Sequence, residues 1–258
     1  WLNSIYQPEN GRAFVPWFGQ QLQVGNSLIG ARRQIYRVSQ LPTETGRKAK
    51  LPKLWHEQAP EELAWDAPLP EDAIFHFLLP DPGMAAYGDK VIKSLVPEAI
   101  ERCKRWQSAA IKAPFTEQQI RTLQRLSRLA DGLWQQWIPE LAHVRERTTD
   151  PLPVWEEPGD GAKGVTKPLS LKDRIQAQEV AGEGVANANA RIRLKLAMDY
   201  WCALWFWPIQ GSADLPLREQ WWMEIGAILE GTVIDLSPPK QEGFDFNSPL
   251  PHAGEGQG

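Results

Sequence analysis

The run Gly25-Asn26-Ser27 is the part of the chain best suited to binding a ligand. It follows Leu22–Val24, whose alternating side chains predict a strand, and the run itself predicts a turn at the end of that strand. In doubly wound sheets, ligands bind beyond the carboxyl ends of the strands. An asparagine side chain offers both a donor and an acceptor to the edge of an adenine, and Gly25 would let the backbone approach a ligand closely.

Two groups of basic residues are candidates for contacts with nucleic-acid phosphates. Arg32 and Arg33 follow the turn, and Arg47, Lys48 and Lys50 lie in an irregular stretch that contains prolines. Basic side chains beside aromatic residues can hold phosphates, and solvated surface charge explains the same residues equally well. The chain has 28 basic and 32 acidic residues and a net charge of −4, so any such contact must be local.

No other pattern points to catalysis or to a metal site. The histidines show no mutual spacing typical of metal ligands, and His76, inside an apolar strand candidate, is expected to be packed. Cys103 and Cys202 are far apart, which disfavours a disulfide framework and a cysteine-rich zinc site. The phosphate-binding, dinucleotide-binding and serine-nucleophile motifs are all missing. We therefore assign neither a catalytic residue nor a metal ligand.

The elements that would position these residues are short strands followed by long helices. Ile35–Val38 and Ala73–Leu79 are strand candidates. Pro97 begins a helix that runs to about Lys112, and a capping box at Thr116 begins a longer one with a single apolar stripe. We expect these two helices to pack together as an antiparallel hairpin or a short coiled coil.

The predicted organisation is a mostly α-helical chain with a small α/β part. Composition and periodicity divide it into six segments. They are an α/β segment (1–40), an irregular segment with a short strand (41–96), a helical hairpin (97–147), a linker (148–169), a Trp-rich helical segment (170–235) and a disordered tail (236–258). The chain holds 13 tryptophans, most of them at helical spacing, which predicts core positions rather than a base-stacking surface. No stretch is apolar for long enough to span a bilayer, and no signal peptide is recognisable. A cytoplasmic location is therefore expected.

Three phrases of the sequence resemble the large class I DNA adenine methyltransferases of DISARM-type and BREX-type phage defence and of restriction–modification systems. They are the stretch from Trp1 to Arg33 that contains Gln-Leu-Gln-Val-Gly-Asn-Ser-Leu-Ile-Gly, the phrase HFLLPDPGMA at His76–Ala85, and the phrase DYWCALWFWP at Asp199–Pro208. The resemblance implies a Rossmann-like domain with a large helical insertion. It also implies S-adenosylmethionine as cofactor, with Gly25, Asn26 and Ser27 on the cofactor side of the sheet. The methyl group would go to the exocyclic amine of an adenine flipped out of DNA, and further defence-system subunits are candidate partners.

Two motifs of that family are missing from the sequence. The Gly-rich first motif, which holds the methionine end of the cofactor, is absent, and so is the catalytic Asn/Asp-Pro-Pro-aromatic motif. We therefore expect a fragment of the enzyme that is inactive alone. The alternative interpretation is a non-catalytic helical module that binds a protein partner or the DNA backbone.

Overall fold

A computed structural model describes residues 17, 30–43, 55–149, 167–180 and 189–232 of the chain. Within these residues the protein is mostly helical and carries one small antiparallel sheet. The strands are β1 (Gln34–Arg37), β2 (Glu61–Glu62) and β3 (Ala73–Phe75), and the helices are α1 (Lys90–Leu95), α2 (Pro97–Gln107), α3 (Glu117–Thr148), α4 (Leu169–Val180), α5 (Ala190–Ala203) and α6 (Arg218–Glu230).

The sheet has the order β2-β1-β3, and both of its pairings are antiparallel. Gln34 pairs with Glu62 on one side of β1, and Tyr36 pairs with Ile74 on the other. A Rossmann-like sheet is mostly parallel, so the three described strands do not confirm the Rossmann-like domain that the resemblance implies. The predicted strand at Leu22–Val24 lies outside the described residues.

The strand expected over Ala73–Leu79 ends early, at Phe75. A 3₁₀ turn over His76–Leu78 follows it at once. The indole N–H of Trp222 donates to the carbonyl oxygen of Leu78 at 2.9 Å, and that of Trp201 donates to Leu79 at 2.8 Å. Because these carbonyls are bonded to side chains of α5 and α6, they have no role in a strand ladder.

Local signals in the sequence explain where α3 and α6 begin or end. Thr116 and Gln119 form the predicted capping box, in which the Thr116 hydroxyl accepts from the Gln119 N–H at 3.2 Å. Gly231 ends α6 with φ of 73°, a conformation that glycine adopts without strain. Pro97 is the first residue of α2, as predicted.

The predicted hairpin of α2 and α3 is wrong. Helix α3 packs on α5 and α6, which also pack on each other, and β3 lies against α3. Helix α2 instead packs on a 3₁₀ segment at Ile209–Asp214. The apolar stripe of α3 is therefore covered by the two later helices. The prediction used chain order, whereas the larger apolar surfaces lie on the Trp-rich helices.

The tryptophans of α3, of α6 and of α5 with the turn that follows it are mainly core residues, as their spacing predicts. Trp134, Trp201, Trp221 and Trp222 are buried, and Trp137, Trp205 and Trp207 are partly buried against the same core. Trp106 of α2 is also buried, and its indole donates to the carbonyl oxygen of Pro216 at 2.7 Å. These side chains thus supply both apolar area and cross-links between elements.

A buried arginine joins the end of α2 to the start of α6. After α2 the chain makes a π-helical turn at Ser108–Lys112, and the Arg218 guanidinium donates to the carbonyl oxygens of Ala110, Ala113 and Pro114 at 2.6, 2.7 and 3.3 Å. The same guanidinium lies 4.1 Å from the centre of the Phe115 ring. Burial lowers the pKa of Arg218 to about 10. The guanidinium is still charged at neutral pH and satisfies carbonyls that the helix end leaves open.

Among the described helices, none combines the length and apolarity needed to cross a bilayer.

Candidate functional site

Several of the predicted site residues fall in parts of the chain that the structure does not describe. Gly25, Asn26 and Ser27 lie outside the described residues, and so do Arg47, Lys48 and Lys50. Their predicted roles, in cofactor binding and in nucleic-acid binding, stay predictions. Arg32 and Arg33 are described, and the structure gives their side chains different environments.

Arg32 has an exposed side chain, as a phosphate-binding role requires. Its backbone N–H donates to Nε2 of His76 at 2.9 Å. This bond fixes the point at which the chain enters β1. The side chain of Arg32 projects from a position that is anchored to the core.

Arg33 is buried, with only 3% of its side chain exposed. Its guanidinium forms an ion pair with Asp131 of α3, in which Nη2 lies 3.1 Å from Oδ1. The pKa of Arg33 is lowered because burial outweighs the attraction of Asp131. The prediction that Arg33 contacts phosphate is therefore wrong, since its charge is already paired inside the protein.

His76 is packed, as predicted. It lies 5.2 Å from the ring of Trp201 in an edge-to-face arrangement, and it accepts the Arg32 N–H described above. Burial lowers the pKa of His76 to about 4. With its pKa lowered, its ring packed on Trp201 and Nε2 accepting a backbone N–H, His76 has a structural role that joins residue 32 to the core.

Three separated segments of the chain meet around His76. We call this the His76 junction, formed by residues 30–33, 76–85 and 199–208. The bond from Arg32 to His76 joins the first two segments, and the bond from Trp201 to the Leu79 carbonyl joins the second to the third. The N–H of Ala85 also donates to the carbonyl oxygen of Leu204 at 2.9 Å.

Asp81, in a loop of the His76 junction, is a carboxylate whose pKa is raised, chiefly by burial. Its Oδ1 accepts the N–H of Gly83 at 2.8 Å. Gly83 faces the ring of Trp205 so closely that an added Cβ would lie 2.0 Å from it. Asp81 thus closes a tight turn against an indole, which is a structural role.

A second feature, which we call the Trp65 loop, covers Leu63–Ala67. Here the buried Arg33 donates from Nε to the carbonyl oxygen of Ala64 at 3.3 Å and from Nη2 to that of Ala67 at 2.9 Å. The Leu63 N–H also donates to the Arg33 carbonyl at 3.0 Å, and the Ala67 N–H to the Ala64 carbonyl at 3.2 Å. The loop is therefore fastened by three hydrogen bonds to Arg33, the residue before β1, which is itself paired with Asp131 of α3.

Trp65 stands at the tip of this fastened loop and is 57% exposed. Its ring meets Trp134 edge to face, with centroids 5.5 Å apart, and Trp134 in turn lies 5.2 Å from Trp137. Trp65 stands outside the helical spacing that singled out the other tryptophans, so it was not predicted as a site residue. The available signal was a tryptophan between Ala64 and Asp66 in a proline-containing loop.

A cleft of about 450 Å³ opens beside the Trp65 loop. Its lining consists of Arg32, Arg33, Gln34, Glu62, Leu63, Ala64 and Trp65. Cavities of this size are in the range that small organic ligands occupy. Within the described ranges, no group of three or more His, Cys, Asp or Glu side chains is placed to hold a metal ion.

No model of a known protein family matches the chain, and neither a curated protein nor a solved structure is similar enough to match it.

Proposed function

We propose that the chain belongs to an S-adenosylmethionine-dependent DNA adenine-N6 methyltransferase that acts in modification or phage defence. The described residues would then form a large helical insertion attached to a Rossmann-like cofactor domain. DNA is the partner that this function requires, and further subunits of the defence system are candidates.

The observation that carries the proposal is the His76 junction. The three phrases that resemble the family lie far apart in the sequence, yet residues from all three meet there through the bonds at His76, Leu79 and Leu204. Unrelated chance matches would have no reason to converge in space. Convergence is expected if the phrases mark one packing unit that the family retains.

The chain's own residues support this role structurally rather than chemically. Arg32 keeps an exposed charge near the junction, whereas Arg33 fixes the Trp65 loop. The cofactor role of Gly25, Asn26 and Ser27 rests on the resemblance alone. Because the sequence lacks the Gly-rich and Asn/Asp-Pro-Pro-aromatic motifs, we expect the chain by itself not to transfer methyl groups.

Two measurements test the proposal. The genomic DNA on both sides is read for a Gly-rich first motif upstream and an Asn-Pro-Pro-aromatic motif downstream, and the gene is deleted while N6-methyladenine is mapped across the host genome. We expect both motifs in the flanking DNA and the loss of methylation at one sequence motif. Flanks without the motifs and an unchanged methylation map would refute the proposal. Methyl transfer to DNA by the isolated chain, well above background, would refute only the expected inactivity.

The second candidate is a non-catalytic helical module that binds a partner. The exposed Trp65 on its fastened loop favours it, since rigid exposed aromatic residues are typical of binding surfaces. A complete gene without methyltransferase motifs, together with an unchanged methylation map, would decide for this candidate.

A further inference from the structure

We propose that the cleft beside the Trp65 loop binds an unpaired nucleobase, which stacks on the Trp65 indole and is bonded at its edge by Gln34 and Glu62. The proposal does not rest on the methyltransferase assignment, because it uses only residues of the cleft.

The first step concerns the loop itself. An exposed tryptophan loses apolar burial that it could have gained in the core. Here the loop that exposes it is held by Arg33, a buried arginine whose carboxylate partner Asp131 comes from another element. Burying such a pair is costly, and it leaves Trp65 57% exposed, with its ring edge to face with Trp134. A rigid loop with an exposed ring is what a stacking contact needs, since little motion is lost when the ligand binds.

The second step concerns the charges in the cleft. Arg33 is neutralised by Asp131, which leaves the exposed Arg32 and the exposed Glu62 as the charged side chains of the lining. Arg32 disfavours a cation on the Trp65 ring, and Glu62 disfavours a compact anion. The cleft therefore favours a neutral planar ligand that carries both donors and acceptors.

The third step concerns the edge of that ligand. Gln34 and Glu62 are directly paired across β1 and β2, so the two residues lie side by side in the lining of the cleft. A glutamine amide bonds the two adjacent groups of an adenine edge, and a carboxylate accepts from the amino group of cytosine. Stacking on the indole together with edge bonding is the usual way in which proteins hold unpaired bases.

The test measures binding of labelled single-stranded DNA of about 12 nucleotides, a length within the range that one binding unit covers. Fluorescence anisotropy compares the full chain with Trp65→Ala and with Phe206→Ala, a matched control because Phe206 is also an exposed aromatic residue, at 61%. An abasic strand of the same length carries the same phosphates without bases. Duplex DNA and a trimethyl-lysine peptide serve as the other probes.

We expect Trp65→Ala to weaken binding of the strand about 5- to 100-fold, the range measured for single stacking contacts. Phe206→Ala should leave it within about twofold, and the abasic strand should bind the full chain as weakly as the normal strand binds the Trp65→Ala variant. Gln34→Ala should change the preference among bases. Because Arg32 is offset by Glu62, the part of the affinity that depends on Trp65 should change little between about 50 and 200 mM salt, unlike a phosphate contact.

Four outcomes would overturn the proposal. They are no binding of any strand, equal loss in the Trp65→Ala and Phe206→Ala variants, duplex binding that ignores Trp65, and binding of the peptide alone. Trp65 is exposed, so the variant should fold, and an unchanged circular dichroism spectrum checks this.

Discussion

Removal of Asp131 tests whether the Trp65 loop is held by the buried ion pair. In the Asp131→Ala variant, Arg33 keeps its charge but loses the oxygen that accepts from Nη1 and Nη2 at 3.2 and 3.1 Å. Breaking a buried pair by removing one partner destabilises proteins by about 3–5 kcal/mol. Asp131 is 18% exposed, and Arg33 keeps its two carbonyl acceptors in the loop. We therefore expect the lower end, about 3 kcal/mol.

Two further variants separate charge from geometry. Asp131→Asn keeps an oxygen at the same place and removes only the charge, so the loss should be smaller, about 1–2 kcal/mol. The double variant Arg33→Met with Asp131→Leu removes both charges, and its stability should lie within about 1 kcal/mol of the parent protein, because burial already opposes the charged forms of both groups. The same double variant leaves the carbonyls of Ala64 and Ala67 without the guanidinium.

Urea unfolding followed by far-ultraviolet circular dichroism gives the free energies, and hydrogen exchange of the peptide that covers residues 61–68 reports the loop. We expect fast exchange in the loop for both Asp131→Ala and the double variant, although only the first is strongly destabilised. A change below about 0.5 kcal/mol in Asp131→Ala, with loop exchange as slow as in the parent protein, would refute the reasoning, because the pair would then hold nothing in place.

Three further predictions concern the core and the helix ends, all measured by urea unfolding. Burial lowers the pKa of His76 to about 4 from the ordinary 6.5, so only the unfolded chain takes up a proton between these values. The stability from His76 is full above pH 6.5 and falls by up to about 3 kcal/mol toward pH 4, and His76→Gln should remove this dependence. Arg218→Ala should cost about 3 kcal/mol because one buried and two partly buried carbonyls lose a charged donor, and Arg218→Lys should recover part of it; equal losses for the two would contradict the forked contact. Gly231→Ala should cost about 1 kcal/mol because φ there is 73°, whereas Gly132→Ala, in open space on α3, should stabilise by up to about 1 kcal/mol; the same sign for both would contradict the assigned conformations.

The sequence predicted local elements better than their packing. The capping box at Thr116 and the proline at Pro97 act through neighbouring backbone groups, and both predictions were confirmed. The pairing of α2 with α3 was wrong because it depends on which apolar surfaces meet across the whole chain. The early end of β3 could not be predicted for the same reason, since its cause is indole donors about 120 residues away along the chain.

The candidate site shows the same limit. A run of two arginines looks uniform in the sequence, yet Arg32 is exposed and Arg33 is buried. The difference arises because successive residues beside a strand point to opposite sides, and only one side faces Asp131. Asp131 itself lies on α3, 98 residues away. No local pattern links the two residues, so the fastening of the Trp65 loop could be seen only in three dimensions.

Most tryptophans fill the core of this structure, and some of them also bond another element through the indole N–H. Trp106, Trp201 and Trp222 each donate to a backbone carbonyl of another element, so they determine how helices sit on turns as well as filling space. Leucine at these positions would leave the carbonyls that the indoles bond without their donors. Trp65 is different, since 57% of it stays exposed and its loop is held by Arg33. An indole that is kept at the surface by a loop held with a buried ion pair is best explained if that indole has a ligand.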